Sequence, residues 1–191
     1  MIEAYLQALN RHRVEAALAL LAADFRYRDA AGRWSLGRGD MEALYRWDAV
    51  LRSRLSCARF HTAGERAQGV FRERSELFRL LGIGERRYRL TFTVRAGALV
   101  EKVIEPLPGA GPSDEEALRP VLRWARDHHP GEIAEIYPGG RMLLGADAAH
   151  RWLALLRAWR AATGSAAVRS GPPGPEAAAD PHQGEASERA Q

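Results

Sequence analysis

An α+β fold is predicted, with helices first and an antiparallel sheet after them. Three observations carry this. Apolar residues recur at helical spacing near the start and again from Met41 to Leu51. Between Ala58 and Leu107 the period drops to two, with short turns between the runs. Helical spacing then returns between Ser113 and Gly164.

In chain order, Ile2, Tyr5, Leu6 and Leu9 mark a first helix ending near Asn10, and Val14, Ala17, Leu18 and Leu21 mark a second. Phe25, Tyr27 and Asp29 alternate as a short strand, and Trp34 to Leu36 return as another after a turn. Asp40 is the expected N-cap of a third helix running to about Leu55, because its carboxylate can accept from free first-turn N–H groups. Arg59 to Thr62 and Val70 to Leu81 read as strands, with Gly82-Ile-Gly-Glu85 as a hairpin turn. Arg86 to Ala96 alternates most regularly. Tyr88, Leu90, Phe92 and Val94 share one face; Arg87, Arg89, Thr91, Thr93 and Arg95 share the other. Leu99 to Glu105 is the last strand, ended by Pro106 and Pro108. Leu99/Val103 and Val100/Ile104 offer opposite apolar parities, so the facing of Glu101 and Glu105 stays open. The facing of Glu73 and Glu76 stays open too, and any of these acids that points inward would have a raised pKa.

Ser113-Asp-Glu-Glu116 is a capping box opening a helix to about His128. Pro120 either kinks that helix or marks its first turn. Glu132 to Tyr137 reads as a short strand. Asp147 is the expected cap of a final helix with Trp152, Leu155, Leu156 and Trp159 on one stripe.

The chain has 191 residues, enough for one domain and an addition but not for two separate cores. No apolar run reaches the roughly 18 residues of a spanning helix, so no membrane partner is expected. Cys57 is the only cysteine, which excludes an internal disulfide. With no basic and apolar leader at Met1-Ile-Glu-Ala-Tyr-Leu6, the cytoplasm is the expected location. Of 28 Lys and Arg residues, only Lys102 is a lysine. With abundant Ala and Gly, that skew reads as base composition and not as a phosphate-binding surface. From Ser165 to Gln191 there is no Leu, Ile, Met, Phe, Trp or Tyr, and the stretch carries a net −2, leaving +6 on residues 1–164. Such a segment cannot bury enough apolar surface to offset its ordering entropy, so disorder is expected there.

The order helix, helix, short strand, helix and meander resembles the NTF2-like superfamily, also called SnoaL-like. The residues that carry the resemblance are Tyr5-Leu-Gln-Ala-Leu-Asn10, Leu20-Leu-Ala-Ala-Asp-Phe-Arg-Tyr-Arg-Asp29, Gly37 before a helix, and Arg95-Ala-Gly-Ala-Leu-Val-Glu-Lys-Val103. The resemblance covers about residues 1–107. It implies a cone, a curved antiparallel sheet wrapped around the N-terminal helices with a pocket inside. The expected organisation is then an NTF2-like core over 1–107, a helical extension over 108–164 and a disordered tail over 165–191. Trp124, Trp152 and Trp159 are too apolar to leave in water and should dock the extension on the core.

The resemblance also implies roles. Steroid isomerases of this superfamily use a first-helix Tyr as oxyanion donor and an Asp at the end of the first strand as base; Tyr5 and Asp29 occupy those places. The protonated acid that those enzymes carry on a later strand has no counterpart in Arg89-Leu-Thr-Phe92. Trp34, Trp47, Tyr27 and Phe92 are candidates to line the pocket, with core packing as the competing reading. Asp48, Glu101 and Glu105 are candidate pocket acids; for Asp48 a helix-surface salt bridge with Arg52 at i+4 is the favoured reading.

The expected ligand is a small hydrophobic molecule. Any chemistry would be cofactor-independent acid–base work of the isomerase, cyclase or hydrolase kind. The alternative is a non-catalytic interaction module, and a homodimer through the sheet face is the expected assembly. No metal site is expected: the histidines of Asp127-His-His-Pro130 point apart and suit a helix C-terminus. Arg87, Arg89 and Arg95 lack interleaved aromatics, so no nucleic-acid partner is expected. No phosphate-cradling Gly-rich loop precedes a helix, so no nucleotide cofactor is expected either.

Overall fold

The computed structural model describes residues 1–107 and 112–169. Helices α1 (Ile2–Asn10) and α2 (Val14–Ala19) lead into β1 (Leu21–Asp29), β2 (Ser35–Gly37) and α3 (Arg38–Val50). Next come β3 (Arg54–Ala63), β4 (Arg66–Arg74), α4 (Glu76–Leu81), β5 (Arg86–Arg95) and β6 (Ala98–Pro106). The extension holds α5 (Asp114–His128), α6 (Pro130–Ile136), a short 3-10 turn at Pro138–Gly140 and α7 (Ala146–Arg169). This is the α+β plan that the NTF2-like resemblance implies.

Six strands form one sheet in the order β2-β1-β6-β5-β4-β3. The pairs from β3 to β6 are antiparallel, as expected of a meander. The sheet as a whole is mixed, because β1 runs parallel to β6. The long path between these two strands permits this, since a parallel pair needs an extended crossover. Bulges bend the sheet. One lies in β3 between Cys57 and Phe60, opposite Gly69, where a Cβ would come within 2.9 Å of Cys57 Sγ and 3.1 Å of the Arg59 carbonyl. Only glycine leaves room for that close approach.

Several local expectations are corrected. Residues 70–81 are not one strand: β4 stops at Arg74, Ser75 Oγ accepts from Phe78 N at 3.2 Å, and α4 follows. Gly82, at φ 77°, ends that helix in the left-handed region and makes no hairpin turn. Asp40 is the third residue of α3 and not its cap; its carboxylate reaches back to Gly37 N at 2.8 Å. α3 ends at Val50, well before Leu55. Residues 132–136 belong to helix α6, entered through Pro130, and Tyr137 caps it. Asp147 lies in the first turn of α7, one residue past its start. The capping box at Ser113 and Glu116 is present, and α5 continues through Pro120. α7 runs on to Arg169, so the first five residues of the expected 165–191 tail are helical; residues 170–191 lie outside the described residues.

Among the described residues there are two apolar cores. One holds Tyr5, Phe25, Met41, Phe71, Leu90 and Phe92 between the sheet and α1–α3. The other joins Trp47 of α3, Leu51 just after that helix, and Leu77 and Phe78 of α4 to Val121, Ile136, Trp152 and Leu156 of the extension. Trp152 is fully buried, with the Tyr137 ring edge-on at 5.9 Å. Trp124 and Trp159 are partly buried against the same core. α3 therefore contributes to both cores.

Candidate functional site

A cavity of about 760 Å³ opens between α3, the inner face of the sheet and the extension. Leu44, Trp47, Tyr88, Leu90, Ile104 and Leu118 supply much of its apolar wall. Asp48, Glu73, Lys102 and Ser53 bring polar groups into it.

The sequence places each of these by simple geometry. Asp48 lies seven residues after Met41, four after Leu44 and three after Tyr45, which is the inward stripe of α3. Its expected partner Arg52 stands outside the helix at φ 54°, so the i+4 pairing does not form. Lys102 faces inward because β6 carries an extra residue. Val94 pairs with Leu99 but Thr93 pairs with Glu101, and after this irregularity Phe92 opposes Lys102 and Leu90 opposes Ile104. Directly paired residues share a face, so both apolar parities of the strand are used, one on each side of the bulge. Glu101 and Glu105 then point outward, to Arg28 at 2.8 Å and Arg89 at 2.8 Å. Glu76 pairs with Arg79 at 2.7 Å at the surface. Of the four open acids, Glu73 is the one in the cavity wall.

Lys102 is 6% exposed and its Nζ lies 4.4 Å from the centre of the Tyr27 ring. Burial pushes its pKa down, while Asp48 and Glu73 pull it back up. Asp48 is surrounded by protein except where it meets the cavity. That burial, with Glu73's charge beside it, pushes its carboxyl up to about 8; Lys102 and Ser53 oppose the rise. An acid and an amine moved toward each other's range can exchange protons near neutral pH.

The residues expected to act are distributed differently. Tyr27, Trp34, Trp47 and Asp29 line the cavity; Tyr5 and Phe92 are not among its lining residues. Tyr5 is fully buried, with its hydroxyl 2.7 Å from that of Tyr45. Burial, then Tyr45, hold the Tyr5 pKa well above the usual phenol value. Phe92 packs edge-on against Tyr5 and Phe71 in the core. Trp34 is 41% exposed and stands at 5.0 Å from Tyr27 at the rim. Asp29 closes the β1–β2 turn, accepting from Arg33 N at 2.6 Å, Arg33 Nε at 2.7 Å and Trp34 N at 3.3 Å. Burial alone would raise its pKa, but these bonds from Arg33 and Trp34 hold it below the usual value. The cover over Asp29 is the exposed Arg33 side chain itself. Structure thus brings Asp29 to the cavity without Tyr5, and adds Asp48, Lys102 and Glu73. The inward stripe of α3 was readable in the sequence; the β6 bulge left no such signal.

His128 Nδ1 meets the Trp124 carbonyl at 2.8 Å at the end of α5. Among the described residues, no group of three or more His, Cys, Asp or Glu could hold a metal ion. No helix among them is long and apolar enough to cross a membrane.

No family model and no curated protein matches the chain. Solved structures do. One is an NTF2-like protein of unknown function from Cytophaga hutchinsonii, 12% identical, with 56% of this chain and 87% of that chain covered at a TM-score of 0.43. Another is RV0760c from Mycobacterium tuberculosis in complex with estradiol-17beta-hemisuccinate, 18% identical over 56% of this chain and 92% of that chain, TM-score 0.46. A third, from Catenulispora acidiphila, has a ketosteroid isomerase-like fold and was solved with trimethylamine; it is 16% identical over 57% of this chain and 86% of that chain, TM-score 0.45. These are likenesses of fold.

Proposed function

We propose that this chain binds a small, mostly apolar molecule in the cavity, with the molecule's polar group set against Asp48 and Lys102, and that Asp48 is its acid–base group. One observation carries the reading: an acid held protonated near neutral pH and a buried amine share one apolar cavity. Pockets of a few hundred Å³ with few polar groups suit drug-sized ligands. Asp29, tied to Arg33 and held ionised, is a weaker base and serves the turn. Tyr5 is bonded to Tyr45 in the sheet core and serves packing there.

The test is binding. 2-Naphthol, 2-naphthoate and 2-naphthylmethylamine carry one ring system with a neutral, an anionic and a cationic head. The neutral probe should raise the melting temperature and quench Trp47 fluorescence saturably, with the effect lost in Asp48→Leu. If none of the three changes either signal, the cavity is not a ligand site.

A homodimer through the outer sheet face is the second reading. An open groove of about 730 Å³ runs there past Arg59, Arg72, Arg87 and Arg89, and Val70 on this face is 43% exposed. Light scattering should give twice the chain mass, falling to one in Val70→Asp; a monomer in the unaltered chain ends this reading.

A further inference from the structure

We propose that Lys102 is a covalent amine, whose Nζ condenses with the carbonyl carbon of a small apolar aldehyde or ketone held in the cavity, with Asp48 giving the proton that releases water. The proposal rests on the cavity being a small-molecule site.

The first observation is one of residue usage. At every other cationic position of the sequence the side chain is arginine. A guanidinium remains protonated and is no nucleophile, whereas a buried lysine can lose its proton and act as one. The one lysine stands in the cavity wall, at a position buried to 6% exposure.

The second observation is placement. Around Lys102 stand Asp48 from α3, Glu73 from β4 and Tyr27 from β1. A lysine kept as a structural counter-ion would touch one of the carboxylates, because only a close and well-bonded pair repays the burial of two charges. Lys102 forms no hydrogen bond or ion pair among the described residues; its contact is the face of the Tyr27 ring. At such separation in an apolar wall, a neutral amine and a protonated acid are favoured over two ions. The directions in which Lys102 and Asp48 are shifted agree with this.

The step balances without a further reagent. The Nζ lone pair forms a bond to the carbonyl carbon while the C=O π pair moves to oxygen, and one amine proton passes to that oxygen, giving a carbinolamine. Protonated Asp48 donates to the hydroxyl, the C–O bond breaks and water leaves. The products are a protonated imine on Lys102 and an Asp48 carboxylate beside it, so the new cation has its counter-ion in place. Aromatic and branched side chains around the site, Trp47, Tyr88 and Leu90 among them, suit an aromatic or branched carbonyl compound.

The experiment uses the full chain with 2-naphthaldehyde and sodium cyanoborohydride, followed by unfolding and digestion with a lysine-specific protease. That protease has a single site, after Lys102, and a reduced imine there removes it. The expected result is an uncut chain heavier by one naphthylmethyl group, formed about ten-fold or more faster in the native than in the urea-unfolded chain. Asp48→Asn should slow the native reaction about ten-fold, with the circular dichroism unchanged. Modification confined to the α-amino terminus, or a native rate no greater than the unfolded one, overturns the proposal. Equal rates in Asp48→Asn overturn the role given to Asp48. 2-Naphthalenemethanol, the same ring without a carbonyl, separates the two readings. If it raises the melting temperature while Lys102 stays unmodified, the cavity binds and the imine is lost. If it does not bind and nothing is modified, both fail.

Discussion

Lys102 and Tyr27 are partners in the parallel pairing of β6 and β1, and the lysine Nζ sits 4.4 Å over the tyrosine ring. A cation over an aromatic face is worth about 0.5–2 kcal/mol, the upper part where water is excluded. That is too little to hold an ammonium in an apolar wall by itself, so the charge state of Lys102 depends on Asp48 and Glu73.

Asp48→Asn should flatten the dependence of stability on pH. Folding raises this carboxyl from 3.8 to about 8. Across that window the folded chain therefore binds the proton more tightly than the unfolded one, and stability falls as pH rises. The cavity face of Asp48 meets solvent, so the expected gain of Asp48→Asn at pH 8 is moderate, about 1–2 kcal/mol. Urea midpoints at pH 5 and pH 8 measure it; parallel curves for the two proteins would refute the raised pKa.

Asp29→Asn should act at the opposite end of the scale. Its pKa is lowered on folding, so its contribution is present above the unfolded value and lost as pH falls through the folded one. The variant should lose stability at neutral pH and show a shallower acid limb below about pH 4. Binding of 2-naphthol should be unchanged. Abolished binding would return Asp29 to the centre of the site.

Trp152→Ala removes a fully buried ring from the second core. The expected loss is about 3–5 kcal/mol. Trp159 is only partly buried, and Trp159→Ala should lose about half as much or less. Equal losses would mean that α7 docks differently.

Gly69→Val forces a Cβ to within 2.9 Å of Cys57 Sγ and 3.0 Å of Phe60 Cβ. Strain of this kind costs about 1–3 kcal/mol. A melting temperature equal to that of the unaltered chain would show that the β3 bulge can relax.

Strands and helices were legible where one period held over a whole element. In β5, Leu90 and Phe92 point into the core, as the alternation foretold. Legibility failed where a period broke inside an element. The bulge between Thr93 and Val94 and its partners switches the parity of β6 midway, and nothing in Leu99 to Glu105 announces where. Residues 70–81 failed for another reason: an apolar run continued from strand into helix, and the cap at Ser75 marked the change more clearly than the hydrophobic pattern did. At the site, Asp48 was visible on the stripe of Met41 and Tyr45. The surface reading won because Arg52 stood four residues on, and that argument holds only while the helix lasts. Tyr5 and Asp29 were placed by likeness of position, which fixes an element and its end but not what a side chain touches.

α3 faces the sheet core with Met41 and Tyr45, and the extension core with Trp47 and with Leu51 at its C-cap. A partition common to two rooms cannot be removed from one alone. Stripping away the extension would leave Trp47 and Leu51 in water and remove Leu118 and Met142 from around the cavity. Residues that never touch a ligand then help set its affinity, because binding must be counted against the cooperative melting of the chain as one unit. Tightening the contact of α7 with α3 should therefore slow exchange of the cavity's contents without altering a single group inside it.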